Sequence, residues 1–351
     1  MLHLRADDVL DRAIGLALGI AVGDAKGIAY ENLTRQQVKN LQNERASEFN
    51  ENEVIYAKVS GNNPYIPHDW PQGRWTDDTQ LSLAMMRAIT KFIQGGDLIN
   101  HIVNEHINEW KESIDGWGGT KTAIERLVHG THTYIDSGNL ADGNGVLMKL
   151  APLAFFYWIC GKVNDNEIER ICRMTHTSPV ALATACIFVH LYVYLFQQTV
   201  EPIDFLQYSL QLARKYETKH ALVEQKQLLS QRIQRYLDAL LSSTLDDDVL
   251  IDVSNGGTFY CVDSLAMVIG LVAISPKGRP DFEKLVKAAE IGGDTDSNAA
   301  MIGALVGGTR GETAIDIQHT ANLYRSNYVR DIGEQFGMGL VEYANANLNM
   351  E

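Results

Sequence analysis

Four glycines recur at a strict spacing near the start of the chain: Gly15, Gly19, Gly23 and Gly27. Residues four apart share one face of a helix. On a helix these four therefore form a smooth stripe, against which a second helix can pack closely. The residues between them are apolar (Leu16, Ala17, Leu18, Ile20, Ala21, Val22), which makes the helix a buried one. The run is not a dinucleotide-binding fingerprint, because no strand pattern precedes it. Asp24 lies inside this apolar run. It reads as a buried hydrogen-bonding residue, either structural or supporting a nearby site. Glu31 is ambiguous: a surface glutamate by its type, a ligand or catalytic carboxylate by its neighbourhood.

The rest of the chain is also helical in pattern. Only eight prolines interrupt 351 residues. Val9, Leu10, Ala13, Ile14 and Ala17 share a helical face, with a cap expected at Asp7 or Asp8. Leu81, Ala84, Met85, Ala88, Ile89 and Phe92 repeat the period, as do Ile102, Val103, Ile107 and Trp110. Pro179 is placed to open a helix, where its missing N–H costs least. An exposed amphipathic helix is expected over about 219–243 and another helix over about 315–345. Glu53 to Val59 is the best strand candidate. The stretch from about Asn43 to Thr76 reads as a long ordered covering loop, since it contains Tyr56, Tyr65, Trp70 and Trp75. No repeat or Pro/Gly/Ser-rich linker divides the chain. The expected fold is a single all-α domain over 1–351 with more than ten helices.

Composition narrows the functional classes. Lys plus Arg is 30 and Asp plus Glu is 44, giving a net charge of −14. That balance argues against nucleic acid or an anionic membrane as the main partner. Val180 to Phe196 is the most membrane-like stretch, yet it falls short of the ~20 residues needed to span a bilayer. The opening residues lack the basic-then-apolar signal pattern. Cys160, Cys172, Cys186 and Cys261 form no C-x-x-C pair and read as buried thiols in a reducing compartment. The expected location is the cytoplasm.

Chemistry-bearing residues concentrate in two clusters: Trp75-Thr76-Asp77-Asp78-Thr79-Gln80 and Gly292-Gly293-Asp294-Thr295-Asp296-Ser297-Asn298. Each precedes an apolar helical run, so each taken singly is an ordinary helix cap. A cap, however, needs one oxygen, and together the two clusters supply four carboxylates and several hydroxyls. Asp294 and Asp296 would diverge on a helix but can converge in a turn before one, which Gly292 and Gly293 permit. Hard divalent cations such as Mg²⁺ take several oxygen ligands of this kind. Two carboxylate clusters suit two adjacent ions.

Taken together these motifs resemble those of the ADP-ribosylglycohydrolase family, in the family's order and over nearly the whole chain. Gly19-x-Ala21-x-Gly23-Asp24-Ala25-x-Gly27 with Glu31 is similar to its first motif, and Pro71-x-Gly73-x-Trp75-Thr76-Asp77-Asp78-Thr79 to its second. Gly116-Trp117-Gly118-Gly119-Thr120 resembles its glycine-rich substrate loop. Asp142-Gly143-Asn144-Gly145 with Met148 and Pro152 resembles its Gly-Asn-Gly motif. Thr175-His176 and Gly292 to Asn298 complete the series.

The resemblance implies an all-helical fold around a central binuclear Mg²⁺ (or Mn²⁺) centre. Its ligands would be Thr76, Asp77, Asp78, Asp294, Asp296 and Ser297, with Glu31 close to the ions. It implies hydrolysis of the bond joining ADP-ribose C1″ to an acceptor side chain, often arginine, on an ADP-ribosylated protein. Asp77, Asp78, Asp294 or Glu31 would take a proton from the attacking water. Gly116, Trp117, Gly118, Gly119, Thr120, Gly143, Asn144, Gly145, Met148 and His176 would hold the ADP-ribose. Trp117, Phe259 or Tyr260 can stack on adenine or simply fill the core. Lys149 departs from the pattern, which commonly has Arg there; lysine keeps the charge but loses the bidentate fork.

The same scaffold also suits serine-linked ADP-ribose or O-acetyl-ADP-ribose, a non-catalytic ADP-ribose-binding or structural role, or immunity to an ADP-ribosyltransferase toxin. ADP-ribose is anionic and so is the chain. Metal ions would therefore have to supply the local positive charge for binding.

Overall fold

The computed structural model describes residues 5–48, 55–59, 66, 69–111 and 117–348. Among these are sixteen α-helices and no strand, only isolated β-bridges. The all-α expectation holds, with one dominant core shared by helices from both ends of the chain.

The glycine stripe organises the centre. Helix Ala6–Gly27 is buried along most of its length. It lies antiparallel to helix Thr295–Arg310, with Gly15 against Gly307, Gly19 against Gly303, Gly23 against Ala299 and Gly27 against Thr295. A methyl group at any of these four glycines would run into partner backbone; at Gly27 it would meet Asp296 Cα at 2.5 Å. Gly303 and Gly307 of the partner are similarly placed against Gly19 and Gly15. Helices Ser326–Leu348, Asp77–Gln94 and Phe282–Glu290 pack around this pair.

The second half of the core surrounds Pro179–Gln197, which Ser178 caps by accepting from the Ala181 N–H at 3.1 Å. Pro179 does open that helix. Two helices, Ala6–Tyr30 and Pro179–Gln197, are long and apolar enough to cross a membrane, but both are largely buried inside the protein.

Several local expectations change. The first helix starts at Ala6, with Arg5 at its cap position; Asp7 and Asp8 sit in its first turn, where they complement the helix dipole instead of capping. Residues 55–59 form a bend and irregular chain rather than a strand, while 53–54 lie outside the described residues. The helix expected from 219 begins only at Leu229, because the chain turns after Lys219 and Ala221 takes a left-handed φ of 52°. One face of that helix is buried, through Leu229, Ile233 and Tyr236. The helix expected over 315–345 is broken into Ile317–Ala321 and Ser326–Leu348. Helix Arg35–Glu48 takes over the start of the long loop. Tyr56, Trp70 and Trp75 are buried, as a covering segment requires; Tyr65 lies outside the described residues.

Candidate metal and substrate cleft

Antiparallel packing places the C-terminal end of Ala6–Gly27 beside the N-terminal end of Thr295–Arg310. Thr295 Oγ1 donates to Gly27 O at 2.8 Å, which fastens the two ends. Just beyond, the Asn32 N–H donates to Gly293 O at 2.9 Å and the Gly293 N–H to Leu33 O at 2.8 Å. These bonds hold Glu31 beside Asp294. Glycine is required at 293, where φ is 84° and the Gly256 carbonyl occupies the space of a side chain.

The acidic clusters are not simple caps, although Asp296 Oδ1 does accept from the Ser297 N–H at 2.9 Å. Thr76 and Asp294 stand at helix cap positions, yet neither side chain makes the cap hydrogen bond. The first turn of Asp77–Gln94 is instead held from outside by the fully buried Asp24. Its carboxylate accepts from the Thr76 and Thr79 N–H groups at 2.9–3.0 Å and from their hydroxyls at 3.0 and 2.6 Å. Burial pushes the Asp24 carboxyl up to about 6, against the pull of these bonds. Asp24 is thus a positioning group for the Thr76–Asp78 cluster, which leaves Asp77 and Asp78 facing the cleft.

Carboxylate oxygens of Glu31, Asp294 and Asp296 lie within 4.8 Å of one another. Asp294 sits before its helix and Asp296 in the first turn, so residues two apart converge. Asn144 Nδ2 donates to Asp294 Oδ2 at 2.9 Å, and Ser297 Oγ donates to Asp78 Oδ2 at 3.2 Å, the second bond joining the two clusters. Burial pushes Asp296 well above the usual carboxylate range, and Glu31, Asp294 and Asp78 push it further. Such crowding of buried like charges is costly by itself. A hard cation relieves it, and every donor here is oxygen. The residues therefore fit a divalent metal ion.

The cluster opens into a cleft of about 430 Å³, a size typical of small-molecule sites. Its acidic side carries Glu31, Thr76, Asp77, Asp78, Asp294, Asp296 and Ser297. The other side carries Trp117, Gly118, Gly119, Gly143, Asn144, Gly145, Met148 and His176. Gly118 and Gly119 begin helix Gly118–Val128, with no acidic residue in its first turn. This is a favourable end for an anion.

Of the residues singled out from sequence, Gly116 lies outside the described residues. Thr120 is buried behind Gly145 rather than in the cleft wall. Trp117 is almost fully buried, donates from Nε1 to Gln80 Oε1 at 3.1 Å and still lines the cleft. Phe259 is 68% exposed at the rim, whereas Tyr260 is absent from the lining. Asn32 and Ile66 also line the cleft and carry no sequence signal; only the tertiary arrangement identifies them. Asn144 gains a second role, since it orients Asp294.

Comparison with known proteins bears on the family and the fold. A family model described as ADP-ribosylglycohydrolase matches residues 5–346. The chain is 30% identical over 186 residues to the ADP-ribosyl-[dinitrogen reductase] glycohydrolase of Rhodospirillum rubrum, covering 51% of this chain and 55% of that protein. It is 22% identical over 336 residues to the ADP-ribosylarginine hydrolase Tri1 of Serratia proteamaculans, covering 93% of this chain and 79% of that one. A solved structure named ADP-ribosylglycohydrolase-related protein complex shares the fold. Its TM-score is 0.65 at 22% identity, over 95% of this chain and 99% of that one.

Proposed function

The chain belongs to the ADP-ribosylglycohydrolase family, and from that premise we propose that it releases ADP-ribose from ADP-ribosylated arginine on a protein, in a reaction that depends on divalent metal. The coarser activity, glycohydrolysis of ADP-ribose conjugates, comes with the family. The arginine acceptor is supported by what two relatives are named to act on. The observation that carries the metal dependence is the convergence of Glu31, Asp294 and Asp296 on the cleft that Asp77 and Asp78 also face.

Two Mg²⁺ or Mn²⁺ ions would be held by Thr76, Asp77, Asp78, Asp294, Asp296 and Ser297, with Glu31 alongside. When bound, they supply positive charge and Lewis acidity in a site otherwise dominated by carboxylates. Cleavage of the C1″ bond builds positive charge on the ribose ring, and the buried carboxylates face that charge. Glu31 and Asp77 are half-buried, whereas Asp78, Asp294 and Asp296 are buried. Glu31 and Asp77 therefore reach solvent most readily, which suits proton removal from the attacking water. Opposite them, the start of Gly118–Val128 and the Gly143–Gly145 backbone receive the diphosphate. Phe259 offers its ring at the rim for adenine. The reading carries with it a reducing, cytoplasmic setting, in which the four cysteines stay free. Reversal of a toxin's modification is one role this chemistry serves.

The test is ADP-ribose release from a panel of arginine-linked, serine-linked and O-acetyl conjugates, with Mg²⁺ and with EDTA. Arginine-linked conjugate should be cleaved fastest, and only with metal. Equal rates in EDTA would sink the metal dependence. Preference for another conjugate would reassign the acceptor, and binding of ADP-ribose without cleavage of any conjugate would make this a binding protein.

A further inference from the structure

Behind the cleft wall lies a lysine that makes no ion pair among the described residues, with the Asp77 carboxylate acting on it only at longer range. Lys149 is fully buried, and its Nζ donates to Thr175 Oγ1 at 3.0 Å. Thr175 Oγ1 in turn lies 2.9 Å from His176 Nδ1. The His176 ring is 1% exposed, yet it lines the cleft. Its Nε2 has no hydrogen-bond partner among the described residues and stands beside Gly119 and Gly145.

The direction of this chain follows from its charges. An ammonium only donates, so Lys149 fills one lone pair of Thr175 Oγ1. The threonine proton then has two acceptors: Cys172 O at 3.4 Å, already taking the Thr175 and His176 N–H groups, and His176 Nδ1 at 2.9 Å. The nearer acceptor is favoured. Aligned dipoles also reinforce one another in such a chain. The opposite arrangement would aim a His176 N–H toward the lysine charge.

We propose that Lys149 acts through Thr175 to hold His176 in the tautomer with its proton on Nε2, so that the cleft wall presents an N–H donor to an anionic oxygen of the bound conjugate. Lys149 and Thr175 are positioning residues in this arrangement, and His176 is the group that meets the ligand. Burial and Lys149 keep the imidazole neutral, pushing it down to about 3. A neutral ring donates from one nitrogen only, so its tautomer decides whether it attracts or repels an anion. The ligand rests on the functional reading above; the relay itself does not.

The experiment uses full-length protein carrying ¹⁵N-histidine. Long-range ¹H–¹⁵N spectra are assigned to His176 by the loss of its signals in His176→Gln. Wild type should show a pyridine-like Nδ1 and a protonated Nε2. Lys149→Met and Thr175→Val should shift His176 toward a tautomer mixture and weaken ADP-ribose binding, measured by calorimetry in Mg²⁺, by about tenfold. Lys149→Arg should restore both. Should Lys149→Met not fold, Thr175→Val breaks the same link one residue further on. A proton on Nδ1 in wild type, or an unchanged His176 spectrum in a folded Lys149→Met or Thr175→Val variant, overturns the relay. A wild type with the expected tautomer and no ADP-ribose binding keeps the relay and removes the ligand.

Discussion

Replacing Gly27 by Ala tests whether the glycine stripe sets the site as well as the fold. By propensity alone the change is favourable, because alanine exceeds glycine in a helix by about 1 kcal/mol. The structure argues the reverse. The new Cβ would lie 2.3 Å from Thr295 O and 2.5 Å from Asp296 Cα and N, where ordinary contact begins near 3.4 Å. All three atoms are backbone, so the helices must part by about 1.1 Å, the difference between 3.4 and 2.3 Å. A gap of about 0.5–1 Å forfeits a quarter to a half of the dispersion attraction across it. Overpacking of this kind costs about 1–3 kcal/mol. The net expectation from these opposed terms is destabilisation by up to about 2 kcal/mol. Catalysis should suffer more. The displaced backbone carries Asp294 and Asp296 away from Glu31, and a misplacement of about 1 Å can cost about 100-fold in rate. Gly339→Ala is the control, because its Cβ would find only side chains at 3.7 Å; it should be neutral or stabilising by up to about 1 kcal/mol. Urea unfolding by circular dichroism, Mg²⁺ titration calorimetry and kcat/KM on the preferred conjugate supply the readouts. Gly27→Ala behaving like Gly339→Ala, with Mg²⁺ affinity and kcat/KM within about twofold of wild type, would refute the reasoning.

Asp296→Asn should raise the melting temperature in EDTA, by relief of repulsion worth about 1–2 kcal/mol, and abolish the further rise on adding Mg²⁺; thermal melts with and without metal decide it. Asp24→Asn turns an amide toward donors that now meet a carboxylate, and should cost about 3 kcal/mol and weaken Mg²⁺ binding, read by urea unfolding and calorimetry. His106 and His176 are both held near 3, chiefly by burial. The unfolded chain binds their protons below about 6.5 and the folded chain does not, so stability is complete above that pH and falls as pH drops toward 3. Against the raised carboxyls of Asp24 and Asp296, which act in the opposite sense, the two histidines contribute a dependence of about 2–3 kcal/mol between pH 7 and 5.5. His176→Gln should halve that dependence in urea unfolding at the two pH values.

Local regularities were open to reading from the sequence because their causes are local. Helical periods, Pro179 at a helix start and the glycine stripe each reflect the 3.6-residue repeat. Boundaries were less legible. Ala221 breaks the helix expected from 219, and nothing in its neighbours demands a left-handed residue there. Arg5 takes the cap position that Asp7 or Asp8 was expected to fill; the first turn is exposed, so water can satisfy its free N–H groups without a side-chain cap.

The sequence by itself determined that the chain is helical, that two helices meet along glycine, and that acidic clusters stand at 76–78 and 294–297. It could not decide whether those acids were caps, surface charge or a shared site, because that depends on distances between residues about 220 apart. Antiparallel packing of Ala6–Gly27 on Thr295–Arg310 decided it, by bringing the ends that carry Glu31 and Asp294 together. Asp24 was ambiguous in the sequence and became a positioning residue only when Thr76 and Thr79 were found on its carboxylate. Backbone contact between glycines is short-ranged and unforgiving, so it converts a repeat of four in the sequence into the register on which the cleft depends.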